Sequence, residues 1–284
     1  MKNYLIVGAT GSVGSLVANT LAQQGAQVHA LTSKRERAGM VEGNIRWVFA
    51  DLKSGEGVSA AFEGVDRAFI FAPPGYVPQN TIVSPLIKEA TRRKLEKVVL
   101  LTALGANAVE TAPLRVAELE LERSGLAYNI VRPNWFMQNF NTFWIHGINE
   151  QGKILLPTGK AKGSFIDIRD IANVVVRLLT SDDLNNRDFD ITGAQSLDHD
   201  EVAAILSRVS GRPITYQEIT PESLKQAFLG AGLPEDYADF LLLILGFFAQ
   251  GYSAHTTTTV KELLGREPIS FEQYAEDYKQ AWIR

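Results

Sequence analysis

The chain has 284 residues, 45% hydrophobic and 21% charged, with 28 basic against 32 acidic side chains and a formal net charge of −4. That length and apolar content support a full hydrophobic core, and near-average composition argues against a disordered, collagenous or repeat protein. The lack of any cysteine excludes disulfides, thiolate zinc sites, iron–sulfur clusters and a cysteine nucleophile, and the net acidity gives no support for nonspecific nucleic-acid binding.

Residues 4–7 form a short apolar run closed by Gly8, the mark of a buried strand. The chain enters that run directly, so no export leader is expected and a soluble, cytoplasmic protein is the default. Val13, Leu16, Val17 and Leu21 then recur at helical spacing, and Gly25 ends the pattern. Strand-like runs follow at 27–31, 46–50, 67–71, 97–101 and 128–131. Between them the spacing predicts a helix ending at Phe62, one over 83–93, and one entering through Thr111 and Pro113 and stopping at Gly125. Strands apolar on both faces and separated by helices predict an α/β, doubly wound parallel sheet of the Rossmann type.

Beyond Pro133 the pattern changes to aromatic-rich, irregular segments, then a strand-like run at 164–168, a helix over 169–179 and a strand at 188–191. Asp198 and Glu201, three apart before Val202, Ile205, Leu206 and Val209, predict a capping-box start, with Gly211 as the stop. From Pro221 onward the chain reads as mostly helical, giving a smaller C-terminal lobe. Its apolar run at 240–248 is far shorter than the roughly 20 residues needed to span a bilayer, so no membrane partner is expected. The expected division assigns 1–134 and 163–193 to a dinucleotide-binding domain, and 135–162 and 194–284 to a substrate-binding lobe.

The chemistry begins at Gly8-Ala-Thr10-Gly11-Ser12-Val13-Gly14, between the first strand and the first helix. Gly8 permits a tight turn, Gly11 lets the backbone approach a pyrophosphate, and Gly14 allows close helix–strand packing. The phosphates then meet the amides and positive end of the helix. Glycines used for packing alone are the plainer alternative, but the strand–helix context favours a dinucleotide site. At the end of the second strand an acid would select NAD; here Ser33, Lys34 and Arg35 stand instead, suited to the 2′-phosphate of NADP. Asp51, after the third strand, is placed either to reach the adenine edge or to cap the next helix.

The glycine loop, Ala50-Asp51-Leu52, the stretch Arg132-Pro-Asn-Trp-Phe-Met-Gln-Asn-Phe140 and the stretch Phe165-Ile-Asp-Ile-Arg-Asp-Ile-Ala172 together resemble the NmrA-like branch of the atypical short-chain dehydrogenase/reductases. Ser210-Gly-Arg-Pro-Ile-Thr-Tyr216 and Gly232-Leu-Pro234 carry the resemblance toward the C-terminus. Within that branch the chain is most similar to NAD(P)H:quinone oxidoreductases and triphenylmethane-dye reductases. The wider family also contains NADP-sensing regulators. The resemblance implies that Ala72-Pro73-Pro74 and Thr102-Ala103 flank the nicotinamide, that Leu52 follows Asp51 at the cofactor, and that Pro133 and Asn134, with Phe136, line the reacting ring.

Ordinary members of that superfamily move a proton with a Tyr and a Lys four residues on. None of the eight tyrosines here (Tyr4, Tyr76, Tyr128, Tyr216, Tyr237, Tyr252, Tyr274, Tyr278) has a Lys in that position, and no Lys lies between Val98 and Gly152. The resemblance puts Leu114 near the missing lysine, and no catalytic residue is assigned. Trp135, Phe136, Phe140, Phe143 and Trp144 supply a wall on which a flat aromatic acceptor could stack, or else a core stripe. Phe247, Phe248 and Tyr252 could close over it, and Asn134, Gln138, Asn139, Tyr76 and His146 are the polar candidates. Asp167, Arg169 and Asp170 read as structural, Glu118, Glu120 and Glu122 as a solvated helix face, and Asp198-His199-Asp200 as a helix start rather than a metal site. The expectation is an NADPH-dependent reductase of conjugated small molecules. Its alternative is an NADP-binding sensor without turnover. Whether the chain forms an oligomer is left open.

Overall fold

In the computed structural model, which describes residues 2–283, every apolar run of the first half lies in one sheet. Its strands are β1 (Asn3–Ile6), β2 (Gln27–Thr32), β3 (Val41–Glu42), β4 (Ile45–Phe49), β5 (Arg67–Ile70), β6 (Lys97–Leu101) and β7 (Ala127–Pro133). After β8 (Lys153–Leu156), which belongs elsewhere, β9 (Arg187–Ile191) completes the order β3-β4-β2-β1-β5-β6-β7-β9. The connecting helices are α1 (Ser12–Gln23), α2 (Val58–Ala61), α3 (Asn80–Arg93) and α4 (Pro113–Glu122). Between β7 and β9 come α5 (Ile145–Gln151) and α6 (Ile168–Thr180). β1 pairs in parallel with β2 on one side and β5 on the other. The chain therefore reverses its direction of travel between these neighbours, and the C-terminal ends of β1 and β5 mark the switch point where open α/β sheets bind ligands.

Three details depart from expectation. β3 pairs antiparallel to β4, so the sheet is mostly rather than wholly parallel. The helix expected to end at Phe62 is the single turn α2, because 51–57 is a loop with Gly55 and Gly57 at positive φ. Residues 164–168 form no continuous strand; they contribute one bridge, Phe136 to Ile166, before α6 begins at Ile168.

The chain divides into Met1–Pro133 with Ile171–Asp190, and Asn134–Asp170 with Ile191–Arg284. Asn134, 163–170 and 191–193, expected with the dinucleotide domain, fall in the second unit. That unit also holds α7 (His199–Ser210), β10 (Thr215–Glu218), α8 (Pro221–Gly230), α9 (Glu235–Ala249), α10 (Thr259–Leu264) and α11 (Phe271–Asp277). β10 pairs in parallel with β8, a small sheet that the periodicity did not announce. The capping box at Asp198 and Glu201 forms on both sides, and Gly211 ends α7 in the left-handed region. Asp167 and Arg169 pair at 2.8 Å, Arg169 reaches Asp277 at 2.5 Å, and Asp170 accepts from the Ile269 amide at 2.7 Å. These residues tie the start of α6 to the chain around α11. No helix among the described residues is long and apolar enough to cross a membrane.

His199 is 1% exposed in the second unit's core, with Nδ1 2.9 Å from Thr158 Oγ1 and its ring stacked on Tyr216 at 5.4 Å. Phe140, Phe165 and Phe248 also pack against it. Burial pushes its pKa down to about 4, against a small opposing pull from Asp200. The folded chain thus holds His199 neutral while the unfolded chain protonates it near 6.5. Stability conferred by the neutral ring is complete above that value and is lost as pH falls toward about 4. Urea unfolding between pH 7 and pH 4 should show an acid loss of up to ~3 kcal/mol that His199→Phe removes. An unchanged acid slope in the variant would refute the assignment.

Candidate cofactor and acceptor sites

The glycine loop closes the turn from β1 to α1. Gly8 has φ +66°, and a Cβ there would stand 2.2 Å from Phe71 Cζ. A Cβ on Gly14 would stand 2.2 Å from Gly8 O, and one on Gly11 3.3 Å from the same oxygen. Close approach of helix to turn therefore requires glycine at Gly14, while the left-handed φ of Gly8 and the Phe71 ring packed on it favour glycine there. Gly11 donates to Gly8 O at 2.8 Å, and the first intrahelical bond runs from the Ser15 amide to Gly11 O at 3.0 Å. The amides of Ser12, Val13 and Gly14 thus precede the first intrahelical donor, Ser15, and the first turn carries no acidic side chain. Thr10, Gly11 and Ser12 are exposed, whereas Val13 is buried in the core. This cradle of amides at a helix N-terminus fits a pyrophosphate.

At the end of β2, Ser33, Lys34 and Arg35 are exposed. Arg35 lies 4.2 Å above the Phe49 ring and contacts Glu56, while Arg37 lies 3.9 Å above Trp47. Asp51 neither caps α2, whose N-cap is Gly57, nor leaves its carboxylate uncommitted. Oδ1 accepts from the Lys53 amide at 2.9 Å and Oδ2 from Ser54 Oγ at 2.7 Å, bonds that hold the carboxyl below its ordinary pKa. Leu52 packs on the core. After β5, Ala72, Pro73 and Tyr76 are half-buried and Pro74 is exposed.

After β6, Thr102 and Ala103 are half-buried, and Thr102 Oγ1 donates to Glu118 at 2.7 Å. Glu118 overturns the expectation of a solvated helix face. It is fully buried, with both oxygens 2.8 Å from Arg132 in a two-pronged pair, and Arg115 lies at 3.1 Å. Arg132, 2% exposed, also reaches Asp188 and Asp190. The pair holds α4 to the end of β7, one residue before Pro133.

In the second unit the aromatic segment divides by burial. Phe140 has no exposed surface and meets Trp144, Phe165 and Phe271 edge-on at 4.7–5.2 Å, so it is core and offers no stacking face. Trp135 and Phe136 are half-buried, while Phe143, Phe247 and Tyr252 are 53%, 45% and 69% exposed. Asn134 is buried, with Nδ2 donating to Ser164 Oγ at 2.6 Å and Ser253 O at 2.8 Å, and Oδ1 accepting from the Trp135 amide. Its side chain is thus committed to fixing the segment. His146 is exposed on α5.

A family model described as NAD(P)H-binding matches residues 8–182, and an NmrA-like family model matches 115–275. The chain belongs to the NmrA-like, NAD(P)H-binding family. It is 34% identical to an NAD(P)H azoreductase of Xenophilus azovorans, with 98% of each chain covered. Its fold is similar to that of a Citrobacter triphenylmethane reductase solved with NADP(H), at TM-score 0.83, 21% identity and 98% and 100% coverage. It is likewise similar to an Escherichia coli NADPH-dependent quinone oxidoreductase at TM-score 0.82, 20% identity and 98% and 99% coverage. As a member of this family the chain is an NAD(P)H-dependent reductase.

Proposed function

We propose that the chain is an NADPH-dependent reductase of flat, conjugated, electrophilic small molecules of the quinone, cationic-dye or iminium type. The observation that carries this reading is an intact dinucleotide cradle in a chain without a Tyr–Lys pair at four-residue spacing; the family resemblance puts Leu114, on α4, where the relay lysine would stand. NADPH supplies a hydride, two electrons with one proton. The protein binds and orients, and positioning can account for much of the acceleration. A strongly electrophilic acceptor takes up the pair without a protein acid, and solvent provides any further proton. A carbonyl–alcohol interconversion would need the missing pair.

In this reading the amides of Ser12, Val13 and Gly14 hold the pyrophosphate, and Ser33, Lys34 and Arg35 hold the 2′-phosphate. Ala72, Pro73, Pro74, Thr102, Ala103 and Pro133 border the nicotinamide. In the second unit, Trp135, Phe136 and Phe247 offer aromatic faces to the acceptor, with His146 as a polar anchor. The azoreductase relative, named for reducing a conjugated aromatic class, supports the choice of acceptor.

The test is NADPH consumption under anaerobic conditions against quinones, azo compounds, cationic triarylmethane dyes and iminium compounds, with simple ketones as controls. Turnover of at least one conjugated class and none of the ketones is expected. Tight NADPH binding with no turnover of any acceptor would replace this reading with that of an NADP sensor.

A further inference from the structure

Of Ser33, Lys34 and Arg35, Arg35 is the best-shaped partner for a 2′-phosphate, yet its guanidinium is already engaged on two sides. The Phe49 ring lies beneath it at 4.2 Å, and the Glu56 carboxylate contacts its NH2 edge. Trp47 and Glu42 serve Arg37 in the same way, with the acid at 3.8 Å. Aromatic support orients a guanidinium without consuming its donors. A carboxylate does consume a donor: one Glu56 oxygen takes Nη2, part of the planar fork that a phosphate would use.

Glu56 is held in position by its own loop. The Asp51 amide donates to Glu56 O at 2.9 Å, the Gly55 amide to Asp51 O at 2.8 Å, and the Asp51 carboxylate fixes Lys53 and Ser54 inside the same turn. The loop closes against β4 because residue 57 is glycine: a Cβ there would stand 2.5 Å from Phe49 O. One tight turn thus presents the acid to the cation above Phe49. Both partners remain open to solvent, with side chains 65% and 55% exposed, so the pair is readily exchangeable.

We infer that Glu56 is a specificity-setting residue: it occupies the phosphate-binding edge of Arg35 and must be displaced by a 2′-phosphate, so it lowers the affinity for NADPH without touching that for NADH. This rests on the reading of Arg35 as the 2′-phosphate partner. A phosphate carries more charge than the carboxylate it displaces and can engage the guanidinium on two donors instead of one, so exchange favours the phosphorylated cofactor. The hydroxyl of NADH has no charge with which to compete. The loop therefore tempers the discrimination between the two cofactors, and Phe49 keeps Arg35 in place during the exchange.

The measurement is equilibrium binding of NADPH and NADH, and of 2′,5′-ADP against 5′-AMP, to the full chain by calorimetry. Wild type is compared with Glu56→Gln, Arg35→Ala and the double variant. Glu56→Gln should tighten NADPH and 2′,5′-ADP by about two- to fivefold, the scale of an exposed ion pair, and leave NADH and 5′-AMP unchanged. Arg35→Ala should weaken only the phosphorylated ligands, and Glu56→Gln should have no effect in that background. If Arg35→Ala is selective but Glu56→Gln leaves NADPH unchanged or weaker, the inference is overturned and the clamp stands. An equal gain from Glu56→Gln with and without Arg35 would reduce Glu56 to a general repulsive charge, which also overturns it. If Arg35→Ala weakens both cofactors equally, the clamp itself fails and the inference with it.

Discussion

Replacing Glu118 with alanine should destabilise the first unit by about 3–5 kcal/mol, the cost of stranding a buried partner. Arg132 would keep its burial and lose both of its 2.8 Å bonds to the acid, leaving Asp188 and Asp190 at the exposed rim as its remaining carboxylates. Thr102 would lose the acceptor of its hydroxyl at the end of β6. Urea unfolding reads the loss. The double substitution Glu118→Leu with Arg132→Met should recover much of it, since a buried ion pair exchanged for apolar side chains is often neutral. A loss below about 1 kcal/mol in Glu118→Ala would mean that the pair is screened like a surface bridge. If Thr102 and Pro133 border the nicotinamide as proposed, the same substitution also weakens NADPH binding, because both stand at the ends of the two strands that Glu118 links.

Gly14→Ala should raise the dissociation constant for NADPH by about 10–100-fold while the chain still folds. The new methyl would stand 2.2 Å from Gly8 O and 2.6 Å from Gly8 C, and both are backbone atoms that move only if the turn itself shifts. Overpacking of this kind typically costs about 1–3 kcal/mol, and each 1.4 kcal/mol taken from the bound geometry is about tenfold in affinity. Gly11→Ala is the internal comparison. Its Cβ would meet Gly8 O at 3.3 Å on the exposed side of the loop, so the fold should hardly notice it. Affinity within twofold of wild type for Gly14→Ala would show that the turn does not need this close approach.

How much of this was legible in the sequence depends on how each residue announces itself. The parallel strands were readable because runs such as 97–101 are buried on both faces, and the glycine loop because its spacing encodes a turn. β3, β8 and β10 were not, since a strand of two to four residues in a narrow or edge position carries no periodicity of its own. Glu118 had a signal that charge concealed. It shares the helical stripe of Leu114, Ala117 and Leu121, and an acid at such a position calls for a buried cation, which Arg132 supplies. His199 likewise lies on the stripe of Val202, Ala203 and Leu206. Glu56 could not have been found this way: only the folded loop brings it across 21 residues to Arg35. Phe140 shows the opposite difficulty, because an aromatic stripe at helical spacing fits a core and a pocket wall equally well, and burial alone separated them.

The most direct test of the account is the fate of the transferred hydrogen. NADPH carrying deuterium at both C4 positions should bleach a cationic triarylmethane dye in the presence of the protein and leave one deuterium on the central carbon of the colourless product. Bleaching without deuterium at that carbon, or tight binding of NADPH with no bleaching of this or any other conjugated acceptor, would contradict hydride transfer to such acceptors as the function of this chain.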